Sequence, residues 1–104
     1  MEIEFRTEEL EDLYSGEKVK NKEFKSNPNL IRSYIKTVKM IQAPPNLKIL
    51  KQISSLNLEK LKNNPQGFSS VRIDGKYRLI IELVMNDSEE VEIVGIEEIS
   101  NHYS

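Results

Sequence analysis

From Gly67 onward the apolar residues of this chain alternate with polar ones, and two of the alternating runs meet at Asp74-Gly75. Few features narrow a fold more. Period-two spacing describes a half-buried strand. Asp-Gly between two such runs is a strong hairpin signal, because both residues tolerate the backbone of a tight turn. Residues 68–73 (Phe68-Ser-Ser-Val-Arg-Ile73) are the first predicted strand and residues 76–85 the second, whose run Leu79-Ile80-Ile81 predicts burial on both faces. Asn86-Asp87-Ser88 is a turn, and residues 90–99 are a third strand with Val91, Ile93 and Gly95 on one face. Three consecutive strands joined by short turns make an antiparallel meander. A two-residue turn at Asp74-Gly75 pairs Ile73 with Lys76, sets Arg72 opposite Tyr77 and makes Arg72 and Arg78 diagonal neighbours.

A meander needs a second layer to cover one of its faces, and the first half of the chain supplies it. Residues 2–6 alternate and read as a short strand. Thr7 then precedes Glu8, Glu9, Glu11 and Asp12, an N-cap followed by acids that the helix dipole favours. Leu10, Leu13 and Tyr14 follow at helical spacing, and Gly16 can stop the helix. Residues 17–26 are polar and lysine-rich and read as a connector. Asn27-Pro28 opens a second helix with an N-cap and a Pro at the first helical position. Its apolar stripe is Leu30, Ile31, Tyr34, Ile35, Val38 and Ile41, with Arg32, Lys36 and Lys39 facing away, and Pro44-Pro45 ends it. Leu47, Leu50 and Ile53 predict a short helix, after which Leu56, Leu58 and Leu61 anchor an irregular segment closed by a turn over residues 63–67. The predicted class is α+β: an N-terminal short strand and an α-hairpin packed on a C-terminal antiparallel β-meander, all in one domain of residues 1–104.

Composition narrows the function classes. The chain has no Cys, so disulfide and thiolate chemistry are excluded, and no apolar run approaches the ~18 residues that span a bilayer. With no apolar targeting region at the N-terminus either, the expectation is a cytoplasmic protein without a membrane partner. The net charge of −2 conceals a segregation. Residues 1–17 hold seven acids and one base, residues 18–62 eleven bases and two acids, and residues 63–104 eight acids and three bases. A basic middle between acidic ends is either a footprint for a polyanion or a set of solvated lysine-rich helix faces.

No phosphate-binding glycine loop, nucleophile elbow or paired metal-ligand spacing occurs. With one His and no Cys, no metal or other cofactor is expected. What remains is Arg72 and Arg78 around the Asp74-Gly75 turn, Lys60 and Lys62 just before the loop into the sheet, and His102-Tyr103 after the last strand. The arginines read equally as surface residues of a strand. A histidine at a strand end is a sensible proton-transfer group, and residues there also fray without function.

These fragments occur together, in this order, in one family. Leu58-Glu-Lys-Leu-Lys62, a turn ending at Gly67, and Phe68-Ser-Ser-Val-Arg-Ile-Asp-Gly-Lys-Tyr-Arg-Leu-Ile80 resemble the central stretch of the RelE/ParE toxin superfamily, and within it the HigB-like plasmid maintenance killer proteins. Leu10-Glu-Asp-Leu-Tyr-Ser-Gly16 with the following linker and helix is similar to that group's α-hairpin. Val91-Glu-Ile-Val94 and Asn101-His-Tyr103 are similar to its last strand and terminal Tyr/His.

The resemblance implies the toxin of a type II toxin–antitoxin system, a metal-independent, ribosome-dependent mRNA endoribonuclease. Its partners would be mRNA in the ribosomal A site and a helix-turn-helix (HigA-like) antitoxin, joined to it as a hetero-oligomer. In that reaction the RNA 2′-OH attacks the adjacent phosphate, so proton transfer and cationic stabilisation are both needed. By this likeness Arg72 and Arg78 hold the scissile phosphate, Lys62 and His102 belong to the catalytic set, and Lys60, Tyr77 and Tyr103 contact substrate, Tyr103 by base stacking. The chain departs from the family in being net acidic, and in placing its terminal His and Tyr further beyond the last strand. The competing reading is a binding module: a ParE-type inhibitor of DNA gyrase, or a degenerate homologue that binds antitoxin without chemistry. An Arg pair with a His/Tyr end favours the nuclease, since a gyrase binder has no use for a proton-transfer group.

Overall fold

In the computed structural model, which describes residues 1–101, the chain runs through β1 (Glu2–Phe5), α1 (Glu8–Ser15), α2 (Lys22–Lys25), α3 (Pro28–Gln42) and α4 (Leu47–Lys51). A 3-10 turn (Ser54–Leu56) follows, then β2 (Glu59–Lys60), β3 (Ser69–Arg72), β4 (Tyr77–Met85) and β5 (Val91–Asn101). These described strands form one sheet in the order β1-β5-β4-β3-β2. The predicted meander is its antiparallel centre, extended at one edge by β2 and at the other by β1, which pairs parallel to β5. The predicted class holds as an α+β fold, with a mixed sheet rather than a separate N-terminal strand.

The helix boundaries follow local chemistry. Thr7 Oγ1 accepts the Leu10 amide at 3.2 Å, and Gly16 closes α1 with φ 80°, a conformation that glycine reaches without strain. Asn27 Oδ1 accepts the Leu30 amide at 3.1 Å ahead of Pro28, and α3 ends before the Pro44-Pro45 pair. The segment read as a connector contains the single-turn helix α2, capped by Asn21 and anchored by buried Phe24. Leu47 and Leu50 do lie in a helix, whereas the stretch of Leu56 and Leu58 leads into the unforeseen two-residue strand β2.

The core lies between α1 and α3 and one face of the sheet. Leu30, Tyr34, Val38 and Ile41 of α3 meet Val71, Leu79, Ile81, Val94 and Ile96, all at most 1% exposed. Truncating any one of these leucines to Ala would cost about 2–5 kcal/mol. Tyr34 donates its hydroxyl to the Leu10 carbonyl at 2.7 Å and so ties α1 to α3. On β5 the core residues are Val94, Ile96 and Ile99, while Ile93 and Gly95 stand across from Val84 and Glu82 on the other face. Likewise Leu79 and Ile81 are fully buried but Ile80 only half, so the run is not buried on both faces.

Two irregularities shape the outer face. The hairpin turn is not the two-residue type: Ile73 and Asp74 both donate to the Tyr77 carbonyl, and Asp74 Oδ1 accepts the Lys76 and Tyr77 amides at 2.8 Å each. The aspartate side chain thus does the work of a missing backbone acceptor, the loop grows by one residue, and the register shifts. Arg72 pairs directly with Arg78, and Val71 with Leu79, so the diagonal arrangement is corrected. On β5, Glu98 faces Ile80 while Ile96 faces Ile81, which leaves Glu97 as the extra residue of a β-bulge. Both glutamates stand beside the outer face as a result. Glu97 accepts from Arg6 Nε at 2.9 Å, Glu82 from Arg6 Nη2 at 2.6 Å, and Glu4 also pairs with this guanidinium. Arg6 crosses the sheet over Gly95, where a Cβ would lie 2.5 Å from its Nε. Desolvation works against the charged form, but the Glu97 hydrogen bond and the charges of Glu4, Glu97 and Glu82 hold the Arg6 pKa above its ordinary value.

Candidate functional site

The outer face carries a cleft of about 330 Å³ lined by Leu61, Asn64, Gln66, Phe68, Ser70, Arg78, Ile80, Glu98 and Ser100. Its wall is the loop between β2 and β3. That loop is pinned by the Leu61 amide to the Phe68 carbonyl (3.0 Å), the Gly67 amide to the Asn64 carbonyl (3.0 Å), and the Phe68 amide to Asn64 Oδ1 (3.1 Å). Gly67 completes the turn with φ 72°. The site is therefore held by donated backbone amides, two of them accepted by Asn64 within the turn, one by its carbonyl and one by its side chain.

Arg78 is the fixed cation of this cleft. Its Nε donates to Ser70 Oγ at 2.9 Å, and its Nη2 donates to the Asn57 carbonyl at 2.7 Å and the Ser70 carbonyl at 3.2 Å. Glu59 stands 3.9 Å away, more than half exposed and weakly paired. Three neutral oxygens thus orient the guanidinium without neutralising it, and Nη1 makes no hydrogen bond among the described residues. A guanidinium held in this way is suited to a phosphate oxygen. Phe68 and Ile80 give the cleft an apolar surface on which a base can stack.

Arg72 does not join it. Although it pairs with Arg78 on the ladder, it is exposed at the end of β3, without a hydrogen bond or ion pair among the described residues. It lines a separate cleft with Ser33, Lys36, Thr37, Met40, Ser55, Leu56 and Ile73. Lys60, exposed on β2, borders a third depression with Leu47, Lys51, Leu58 and Leu83, and Lys62 is exposed in the turn after β2. Tyr77 is 6% exposed in the core, its hydroxyl donating to Glu23 Oε2 at 3.1 Å, so it braces α2 rather than lining the Arg78 cleft. His102 and Tyr103 lie outside the described residues.

The structure adds one chemistry-bearing residue that the sequence did not single out. Glu98 lines the cleft with Arg78, is exposed, and its carboxylate makes no hydrogen bond or ion pair among the described residues. Its spacing concealed it, because only the bulge at Glu97 sets Glu98 opposite Ile80 and Ser100 opposite Arg78. A carboxylate and a guanidinium at one cleft can together move a proton and hold an anion. Among the described residues no group of three His, Cys, Asp or Glu side chains could hold a metal ion, and no helix is long and apolar enough to cross a membrane. No protein-family model matches the chain, and no curated protein matches it.

Proposed function

We propose that the chain is the toxin of a toxin–antitoxin pair and cleaves mRNA on the ribosome, with the Arg78 cleft as its active site. The observation that carries this reading is the Arg78 guanidinium, oriented by Ser70 and the Asn57 carbonyl and, among the described residues, left with an unengaged Nη1 in a cleft that Glu98 also lines. The resemblance of residues 58–80 to the RelE/ParE superfamily supplies the reaction class. The RNA 2′-oxygen attacks the neighbouring phosphorus as its proton passes to a base. The bond from phosphorus to the 5′-oxygen breaks, that oxygen takes up a proton, and the products are a 2′,3′-cyclic phosphate and a 5′-hydroxyl. Arg78 stabilises the charge that grows on the phosphoryl oxygens. Glu98 is the proton acceptor within the described cleft, and His102 is a second proton-transfer candidate. Arg72 and Lys62 serve as outlying cations along the RNA, and Lys60 is assigned no part in the chemistry.

The test is cleavage of a translated message by the purified protein in a reconstituted translation system, read by primer extension. New 5′ ends that require ribosomes and vanish in Arg78→Ala support the proposal. Intact messages beside inhibition of DNA gyrase supercoiling would replace it with the gyrase-binding reading. Intact messages with gyrase unaffected would leave a binding homologue.

A further inference from the structure

α3 carries two stripes. One is buried in the core, and the other, Arg32, Ile35, Lys36, Lys39, Met40 and Ala43, recurs every three or four residues along the outer side of the helix. These six residues line an open groove of about 530 Å³. Ile35, Met40 and Ala43 give it an apolar floor, and Arg32, Lys36 and Lys39 form an exposed rim. From Arg32 to Ala43 the helix advances about 16 Å, three turns. No acidic residue occurs anywhere in residues 24–58, and among the described residues neither the Lys36 nor the Lys39 ammonium has a hydrogen bond or ion pair, while the Arg32 guanidinium reaches only the Asn29 side chain. The groove is thus apolar along its centre and positive along its edges, with nothing of its own segment to neutralise it.

We infer that this groove docks an acidic amphipathic helix of another protein, about three turns long. Its apolar side would lie on Ile35 and Met40, and its carboxylates would meet Arg32, Lys36 and Lys39. The charge pattern selects the occupant. A nucleic acid would use the cations but gain nothing from the apolar floor. A second copy of this chain offers its acidic helix α1, but Leu10 and Leu13, at 4% and 2% exposure, already spend the apolar side of that helix in its own core. The groove lies on the helical layer and the Arg78 cleft on the opposite face of the sheet, so the docking surface stands apart from the nuclease reading.

The probe is a lactam-stapled helical peptide of about 15 residues with Leu at every third or fourth position and Glu between, followed by fluorescence anisotropy at about 0.15 M salt. A scrambled peptide of the same composition and a single-stranded RNA of similar length run beside it. The acidic helix is expected to bind with a micromolar Kd, and the scramble at least ~tenfold more weakly. Lys36→Glu/Lys39→Glu, exposed changes verified as folded by thermal melting, is expected to weaken the acidic helix at least ~tenfold, and Met40→Gln to weaken it with the rim intact. Equal binding of the scramble, or insensitivity to the double charge reversal, overturns the inference. So does tighter binding of RNA through the same lysines, or a dimer in sedimentation that the double reversal dissociates.

Discussion

Arg72 and Arg78 are direct partners across the β3–β4 ladder, yet their side chains belong to different clefts, and among the described residues only Arg78 is tied down. Two like charges facing each other on neighbouring strands repel. Divergence relieves that repulsion, and the Ser70 hydroxyl with the Asn57 and Ser70 carbonyls fixes which of the two remains in the cleft. The pair is therefore unequal, and that inequality can be measured.

Arg78→Ala is expected to lower mRNA cleavage by about 10²–10³, or 2–4 kcal/mol of transition-state stabilisation. It should also lower stability by about 1 kcal/mol, because Arg78 joins β3 to the turn at Asn57. Arg72→Ala should lose less than ~tenfold in cleavage and almost nothing in stability. Cleavage rates on translating ribosomes and urea melts of the two variants check this ordering, and equal losses would mean that both arginines grip the same phosphate.

Glu98→Gln keeps the shape of the side chain but removes its capacity to accept a proton. If Glu98 is the general base, cleavage should fall by about 10²–10⁴, with the melting curve unchanged because the side chain is exposed. Deleting residues 102–104 provides the matching test of His102. A large loss in the deletion and none in Glu98→Gln would assign proton transfer to the histidine. The reverse result would assign it to the bulged strand.

The meander, both long helices and their caps were legible because each rests on local chemistry: Thr7, Asn27-Pro28, Gly16 and Pro44-Pro45 act within a turn of themselves. β1 was visible as a strand but not as the parallel neighbour of β5, since pairing across most of the chain leaves no local signal. β2 has only two residues, too few to show a period. The turn at Asp74-Gly75 was read by its glycine and built by its aspartate, whose two accepted amides moved the register by one. That single step set Arg72 opposite Arg78. The bulge at Glu97 likewise has no signature in the sequence, and with it Glu98 passed unnoticed.

Gly95 and Arg6 make a structural prediction independent of activity. In Gly95→Ala the new methyl would occupy the space of the Arg6 guanidinium and push it off Glu82 and Glu97, at a cost of roughly 1 kcal/mol for a partly exposed ion network. In an Arg6→Ala background the same change should cost nothing, since the obstacle is gone. Chemical denaturation of the four proteins in this cycle gives the coupling directly. An identical loss in both backgrounds would show that Gly95 serves the backbone of β5 rather than the arginine above it.

Tyr34 makes the stability of the fold sensitive to alkaline pH. Burial, and then the charge of Tyr14, raises its pKa well above the ordinary tyrosine value of about 10. The unfolded chain therefore releases this proton first. The stability due to neutral Tyr34 is complete below about pH 10 and is lost as pH climbs toward the folded value, at about 1.4 kcal/mol per pH unit for one proton. Tyr34→Phe removes the hydrogen bond to the Leu10 carbonyl, so at pH 7 the variant should be less stable by about 1 kcal/mol. Above pH 10 that deficit should shrink, because the wild type alone bears the Tyr34 slope. Urea denaturation from pH 7 to pH 11 follows the difference between the two curves. Parallel curves over that whole range would mean that Tyr34 can ionise inside the fold without cost, which its complete burial between α1 and the sheet argues against.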